Sequence, residues 1–133
     1  MRHQDWEARL NAALAKHRDA PGKWGASDCW MLATDAHEAV TGRALLPDLR
    51  GYKTERGGFR LFAKHGFSTV GEALASALPE VGRLQAMRGD LAVIERGGVE
   101  SCVVVASPNC VSKTLSGLAY LPQTEIKRAF RVE

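Results

Sequence analysis

Apolar positions near the start of the chain recur at helical spacing and predict a first helix over residues 5–18. One face of this helix carries apolar or amphipathic side chains, namely Trp6, Leu10, Ala13, Leu14 and His17. The helix is expected to end before Pro21-Gly22, because proline disfavours helical geometry in the preceding residue and glycine frees the following turn.

A second helix is predicted to begin at Ser27 or Asp28, since the side-chain oxygen of either residue suits a helix N-cap. Gly42 ends it as the residue that follows the last turn. Small residues dominate its apolar face, which consists of Cys29, Leu32, Ala33, Ala36 and Val40. Such a face allows close approach to a sheet or another helix, so we expect this helix at the centre of the core.

Residues 43–58 are interpreted as an irregular surface segment, because proline and glycine interrupt any periodic pattern there. Arg50 and Tyr52 are expected to be solvated in this segment. Two shorter helices follow, one from Phe59 to a glycine cap at Gly66 and one from Ser68 or Thr69 towards Pro79.

Beyond Gly89-Asp90 the pattern changes to short β-prone runs separated by turn residues. The runs cover residues 91–94, 99–106, 109–114, 118–121 and 129–132. Their separators are short enough for hairpins, which predicts a mostly antiparallel sheet. We therefore expect one α+β domain over residues 1–133, with an N-terminal helix (1–22), a cysteine helix and further helices (23–80), and a β-meander (88–133).

The composition is that of an ordinary globular protein, with 45% apolar and 25% charged residues among 133. It excludes disorder as the main state. The net charge is +3 and both signs alternate along the chain, which argues against nucleic-acid binding. No apolar run reaches the roughly 18 residues that cross a bilayer and no signal peptide opens the chain, so we expect synthesis in the cytoplasm without membrane insertion.

Three cysteines cannot all pair within one chain and lack metal-ligand spacing, so reduced thiols and no metal or other cofactor are expected. Cys102 and Cys110 are predicted to be small core residues. Cys29 lies in the first turn of the second helix, where unpaired N–H groups and the helix dipole favour thiolate. The string Trp24-Gly25-x-x-Asp28-Cys29 thus has the spacing of a nucleophile site, with Asp28 as helix cap.

The order of the motifs resembles the NlpC/P60 cysteine peptidases. The shared features are Trp24-Gly25, Asp28-Cys29 at a helix start, and Gly89-Asp90-Leu91 at the start of a meander. With Thr41-Gly42 and Leu49-Arg50-Gly51-Tyr52 added, the chain is similar to small NlpC/P60-like proteins encoded among bacteriophage tail genes.

This resemblance covers about residues 24–132 and implies a papain-like core in which the cysteine helix packs on an antiparallel sheet. It also implies Cys29 as nucleophile, Asp28 as a residue that shapes the substrate-binding end, and a histidine from the second strand as base. Here the sequence departs from the pattern, because Ser101 stands at the histidine position and no histidine follows His65. A serine hydroxyl cannot take and return a proton at neutral pH.

The four histidines offer few replacements for that base. His3 and His17 are expected to be solvated groups at helix ends, and His37 lies about 12 Å from Cys29 along the same helix axis. His65 remains as the candidate base, although its place at a helix C-terminus needs no catalytic explanation.

Three functions remain open. In the first, the chain is a structural component of a phage tail tip or baseplate, present in the virion and docked on tail hub proteins, with Cys29 as a vestige of a peptidase fold. In the second, it is an active cysteine peptidase or amidase that cleaves peptidoglycan during genome delivery, with a base from His65 or a neighbouring subunit. In the third, it is a small binding module without a phage connection. The missing histidine favours the first.

Overall fold

The computed structural model describes all 133 residues as four helices and one six-stranded sheet. The helices are α1 (Trp6–Asp19), α2 (Cys29–Thr41), α3 (Glu55–Lys64) and α4 (Val70–Ala77). The strands are β1 (Glu80–Val81), β2 (Leu91–Arg96), β3 (Val99–Val105), β4 (Asn109–Thr114), β5 (Gly117–Pro122) and β6 (Arg128–Phe130). Every pairing is antiparallel and the order is β1-β6-β2-β3-β4-β5, which confirms the α+β class.

The predicted helices are present, with one displaced boundary. Gly42 follows α2 in the left-handed region at φ 76°, as its predicted role requires. Helix α3 begins at Glu55, four residues before the expected Phe59, because the Thr54 hydroxyl accepts the N–H of Gly57 at 2.9 Å and caps the helix. No helix is both long and apolar enough to cross a membrane.

The sheet buries side chains on both of its faces. Along β3, Cys102 and Val104 belong to the larger cluster, which α2 and the other helices cover, whereas Val103 and Val105 belong to a smaller cluster on the opposite face. Cys102 and Cys110 are fully buried, which confirms their predicted core positions. The three thiols are unpaired.

The sheet opens beside the first half of β3. Strand β2 pairs with β3 along its length, from Leu91↔Val104 to Arg96↔Val99. Strand β4 pairs with β3 only at Val104 and Val105. The start of α2 lies at this opening, where the main chain of Cys102 is near enough to Cys29 to lower the pKa of its thiol.

The turn that leads into β2 is fixed by a fully buried carboxylate, Asp90. Its two oxygens pair with Arg2 at 3.1 Å and with Arg131 at 3.2 Å. The N–H groups of Met87 and Val132 donate to the same carboxylate at 2.8 and 3.0 Å. Segments that are far apart in sequence therefore meet at one side chain.

Candidate functional site

Asp28 organises the start of α2. Its backbone is extended, and its carboxylate accepts the N–H of Met31 at 2.8 Å, which confirms the predicted N-cap. The other oxygen accepts the N–H of Gly25 at 2.8 Å and the hydroxyl of Tyr52 at 2.7 Å. Three donors thus satisfy a carboxylate that is only 3% exposed, and they set the position of Cys29.

Gly25 is required by its close approach to the Tyr52 segment. Its φ is +79°, and a β-carbon at this position would lie 1.8 Å from the carbonyl oxygen of Tyr52. Tyr52 is half-buried rather than solvated as expected, and burial together with the Asp28 charge raises the pKa of its hydroxyl above the usual range. The hydroxyl therefore stays a proton donor to Asp28.

Arg50 is also not the free loop residue that the sequence suggested. Its guanidinium pairs with the Asp35 carboxylate on α2 at 3.1 Å, so the segment before α3 is attached to α2 by both Arg50 and Tyr52. The expected solvation was wrong for these two residues because the segment crosses the α2 surface.

Cys29 is the first residue of α2 and is half-buried. Burial raises the pKa of its thiol to about 11, and the Asp28 charge acts in the same direction. Hydrogen bonds from the main chain of Cys102 and Trp30 act the other way but do not compensate. The predicted thiolate stabilisation at the helix start is therefore outweighed, and the thiol is protonated at neutral pH.

A cleft of about 400 Å³ opens in front of Cys29. Its apolar wall comes from α2, α3, α4, their neighbouring turns and the start of β3, and consists of Trp24, Trp30, Tyr52, Phe59, Phe62, Val70 and Val99. Three carboxylate residues, Asp28, Glu55 and Glu100, also line it, and no lysine, arginine or histidine does. Asp28 is satisfied by its three donors, and Glu100 pairs with the Lys127 ammonium at 3.1 Å and accepts the N–H of Gly71 at 3.1 Å, so Glu55 is the acidic group without such partners. The cleft is thus suited to a ligand that is partly apolar and neutral or cationic.

Ser101 lines the same cleft as Cys29 and Asp28. It pairs with Ile94, which packs in the smaller cluster, so the ladder places the Ser101 side chain on the sheet face turned away from α2. Glu100 and Cys102 occupy the alternate positions of β3, on the face towards α2. Neither is a base of the kind that a cysteine peptidase uses.

The histidines lie outside the cleft. His65 is the exposed C-cap of α3 and is not among the lining residues. His37 is buried, hydrogen-bonds the carbonyl of Arg43 at 3.0 Å through Nδ1, and has its pKa lowered by burial. His3 is half-buried next to the end of α2, where its main-chain N–H donates to the carbonyl of Val40 at 2.8 Å.

His17 was expected to be solvated, and this expectation was wrong, since it is 1% exposed. Its ring nitrogens lie 2.7 Å from the Ser27 hydroxyl and 2.7 Å from the Asp35 carboxylate. The last turn of α1 packs against α2. His17 belongs to the face of α1 that the periodicity predicted, and that face forms the contact.

The wall of the cleft that α3 forms was not predicted from the sequence. Glu55 and Phe59 were assigned to an irregular segment and to a helix start, whereas both lie on α3 facing the cleft. A signal was present, because Thr54 followed by an acidic residue is typical of a helix N-terminus. The Gly57-Gly58 pair obscured this helix signal. Helix α3 accommodates these glycines because the ring of Tyr52 packs against Gly58.

No group of three or more histidine, cysteine, aspartate or glutamate side chains is arranged to hold a metal ion. The chemistry available in the cleft is therefore that of a protonated thiol, aromatic surface and carboxylates.

The full length of the chain can be compared with known proteins. Residues 1–132 match a family described as Domain of unknown function (DUF6950). A search of curated proteins gave no match.

Proposed function

The chain belongs to the DUF6950 family, and we propose that it is a structural protein of a bacteriophage tail tip or baseplate. In this proposal it has a degenerate NlpC/P60-like, papain-like fold, does not hydrolyse peptide bonds and docks on a tail hub protein. It is made in the host cytoplasm and incorporated into the virion.

The tail location rests on the motifs that resemble phage-tail NlpC/P60-like proteins. Several of those residues are needed by the fold itself: Gly25 and Asp28 hold the start of α2, and Asp90 joins the chain segments beside β2. These contacts stabilise the fold whether or not a reaction is catalysed, which agrees with a scaffold role.

A single observation supports the absence of catalysis. Cys29 faces a cleft that no histidine lines, and its pKa of about 11 leaves little thiolate at neutral pH. A cysteine hydrolase needs a base within hydrogen-bond reach of sulfur that later protonates the leaving amine. Asp28 is committed to three donors and, as an anion beside the sulfur, disfavours thiolate.

Hydrolysis is tested by incubating the purified protein with cross-linked muropeptides at equimolar concentration. We expect no product by mass spectrometry from the wild-type chain or from Cys29→Ala. Cleavage by the wild type that disappears in Cys29→Ala, but not in the matched core variant Cys110→Ala, would establish the alternative, an active peptidase or amidase. Loss of that cleavage in His65→Ala would then identify its base.

The docking role is tested by co-expression with a phage tail hub protein. We expect the two proteins to elute together in size-exclusion chromatography and this chain to be present in purified virions by mass spectrometry. If this chain is absent from virions and elutes alone, the result would favour a binding module without a phage connection.

A further inference from the structure

The open part of β3 presents main-chain groups with no strand partner. The N–H of Val105 donates to the carbonyl of Asp90 at 2.9 Å, so the odd-numbered residues of β3 direct their main-chain groups towards β2. The even-numbered residues point the other way, and of these Val104 pairs with Val111 of β4. Glu100 is the even-numbered residue beyond the reach of β4, which ends at Thr114.

Other contacts already occupy the next position on that edge. The carbonyl of Cys102 accepts the hydroxyl of Ser112 at 3.0 Å, and its main chain lies beside the thiol of Cys29. Glu100 lines the cleft, and by the register of β3 its N–H and carbonyl are on the edge that faces away from β2. A free strand edge of this kind is a template for an added strand.

Aromatic rings form part of the cleft wall. Trp30 is 2% exposed and its ring lines the cleft, where it meets Phe62 edge-on at 4.9 Å between ring centroids. Its indole N–H has no hydrogen-bond partner. The nitrogen itself is buried, so Trp30 contributes ring surface to the cleft rather than a hydrogen bond to an occupant.

The rim of the cleft combines apolar surface with negative charge. Phe59 is 57% exposed and Val99 is 52% exposed, which is unusual for side chains of their size. Glu55 is exposed on the same side, and no cationic side chain lines the cleft to balance it. A partner with apolar side chains and a lysine or arginine would complement this rim.

We propose that the cleft is the docking site for an extended segment of a partner protein that pairs with the main chain of Glu100. The segment lays an apolar side chain against Phe59 and places a lysine or arginine beside Glu55. The inference rests on the docking role proposed above and assigns it to the cleft in front of Cys29.

The test uses a fluorescein-labelled peptide, acetyl-Val-Lys-Val-Lys-Val-amide, and the full chain in fluorescence anisotropy. We expect saturable binding that weakens about tenfold when the central valine is N-methylated, since one main-chain hydrogen bond is lost. Replacing both lysines by glutamate weakens binding further. Hydrogen exchange supplies an internal control, because the amide of Glu100 gains protection on binding while that of Val103, already bonded to β2, does not.

Two variants and two matched controls assign the binding to the cleft. Phe59→Ala weakens binding about tenfold, as expected for an exposed aromatic anchor. Glu55→Lys weakens it about two- to fivefold, the range of a rim ion pair. Leu84→Ala and Glu7→Lys change an exposed apolar and an exposed acidic residue outside the cleft, and leave binding unchanged.

Three results would overturn the proposal. The first is no binding of the lysine peptide at millimolar concentration, or binding that neither cleft variant changes. The second is tighter binding of a muropeptide than of the lysine peptide, which would assign the cleft to cell-wall peptides. The third is a dimer in sedimentation that Phe59→Ala dissociates, which would identify a second copy as the occupant. None of these three results bears on hydrolysis or on the presence of the chain in virions. The docking proposal and the proposed tail function can therefore be contradicted independently.

Discussion

At the scale of single residues, the environment of Cys29 decides what the cleft does. The residue has the position of a nucleophile, at the start of a helix and beside a cleft. Its surroundings reverse the consequence of that position, because burial and the neighbouring Asp28 charge both favour the neutral thiol. The sequence revealed the position, whereas desolvation depends on side chains from Tyr52 and β3 that only the folded chain brings together.

This environment predicts slow alkylation of Cys29 by iodoacetamide. A pKa of about 11, against an ordinary 9.0, lowers the thiolate fraction near pH 8 roughly a hundredfold. The rate, followed by mass spectrometry, should rise about tenfold per pH unit between pH 7 and 10. Cys29→Ser serves as the control that subtracts reaction at the buried Cys102 and Cys110. A rate that is already constant above pH 7 would mean an activated thiolate and would remove the main support for a silent cysteine.

At the scale of elements, the contact between α1 and α2 is organised around Asp35. Its carboxylate lies 2.7 Å from the ring of His17 on α1 and 3.1 Å from the guanidinium of Arg50, with the ammonium of Lys16 at 3.4 Å. Burial alone would raise the pKa of Asp35, but these three partners outweigh it and lower the pKa to about 2.

The consequence is an acid-dependent loss of stability. Because the folded-state pKa lies below the ordinary 3.8, the stabilisation is present above about pH 4 and is lost as the pH falls towards 2. Asp35→Asn should therefore show a decrease in unfolding free energy between pH 5 and pH 2 that is smaller by about 2 kcal/mol. The midpoints of urea unfolding at several pH values measure this decrease. Asp48→Asn, which removes an exposed carboxylate, should keep the wild-type slope, and equal slopes in Asp35→Asn and wild type would contradict the assignment.

The helices and strands were largely predictable because their signals are local. Period, caps and turn residues gave α1, α2, α4 and the four hairpin-linked strands near their observed bounds. The start of α3 was missed since two glycines have low helix propensity, and tertiary contact with Tyr52 overrides that preference. Strand β1 has two residues and depends on its pairing with β6, so no local pattern announces it.

At the scale of the whole molecule, the sheet order joins distant parts of the chain. Strand β6 lies between β1 and β2, so the chain returns to the start of the meander, where Asp90 meets Arg2 and Arg131. The sequence singled out Gly89-Asp90 as a motif, but its partners are 88 and 41 residues away and carry no local signature. The open side of β3 was unpredictable for the same reason, since strand pairing there ends where α2 intrudes.

Asp90 is predicted to be the most sensitive ion-pairing position in the molecule. Asp90→Asn keeps the size of the side chain but leaves Arg2 and Arg131 without their buried anion, which should lower the unfolding free energy by about 3 kcal/mol. Arg96→Ala breaks an exposed pair with Glu125 and should cost less than about 1 kcal/mol. Urea denaturation compares the two variants, and similar losses would show that Asp90 does not anchor the fold.

The distribution of the tryptophans gives this protein a built-in optical reporter. Two of the three indoles, Trp24 and Trp30, border the cleft, while Trp6 lies 4.3 Å below the guanidinium of Arg2. Ultraviolet emission from an unlabelled sample therefore comes mainly from chromophores that any occupant would touch or dehydrate. Binding in the cleft would be followed in a titration as a change in the wavelength or intensity of tryptophan emission. The variant Trp24→Phe would show how much of that change comes from Trp24 at the opening of the cleft.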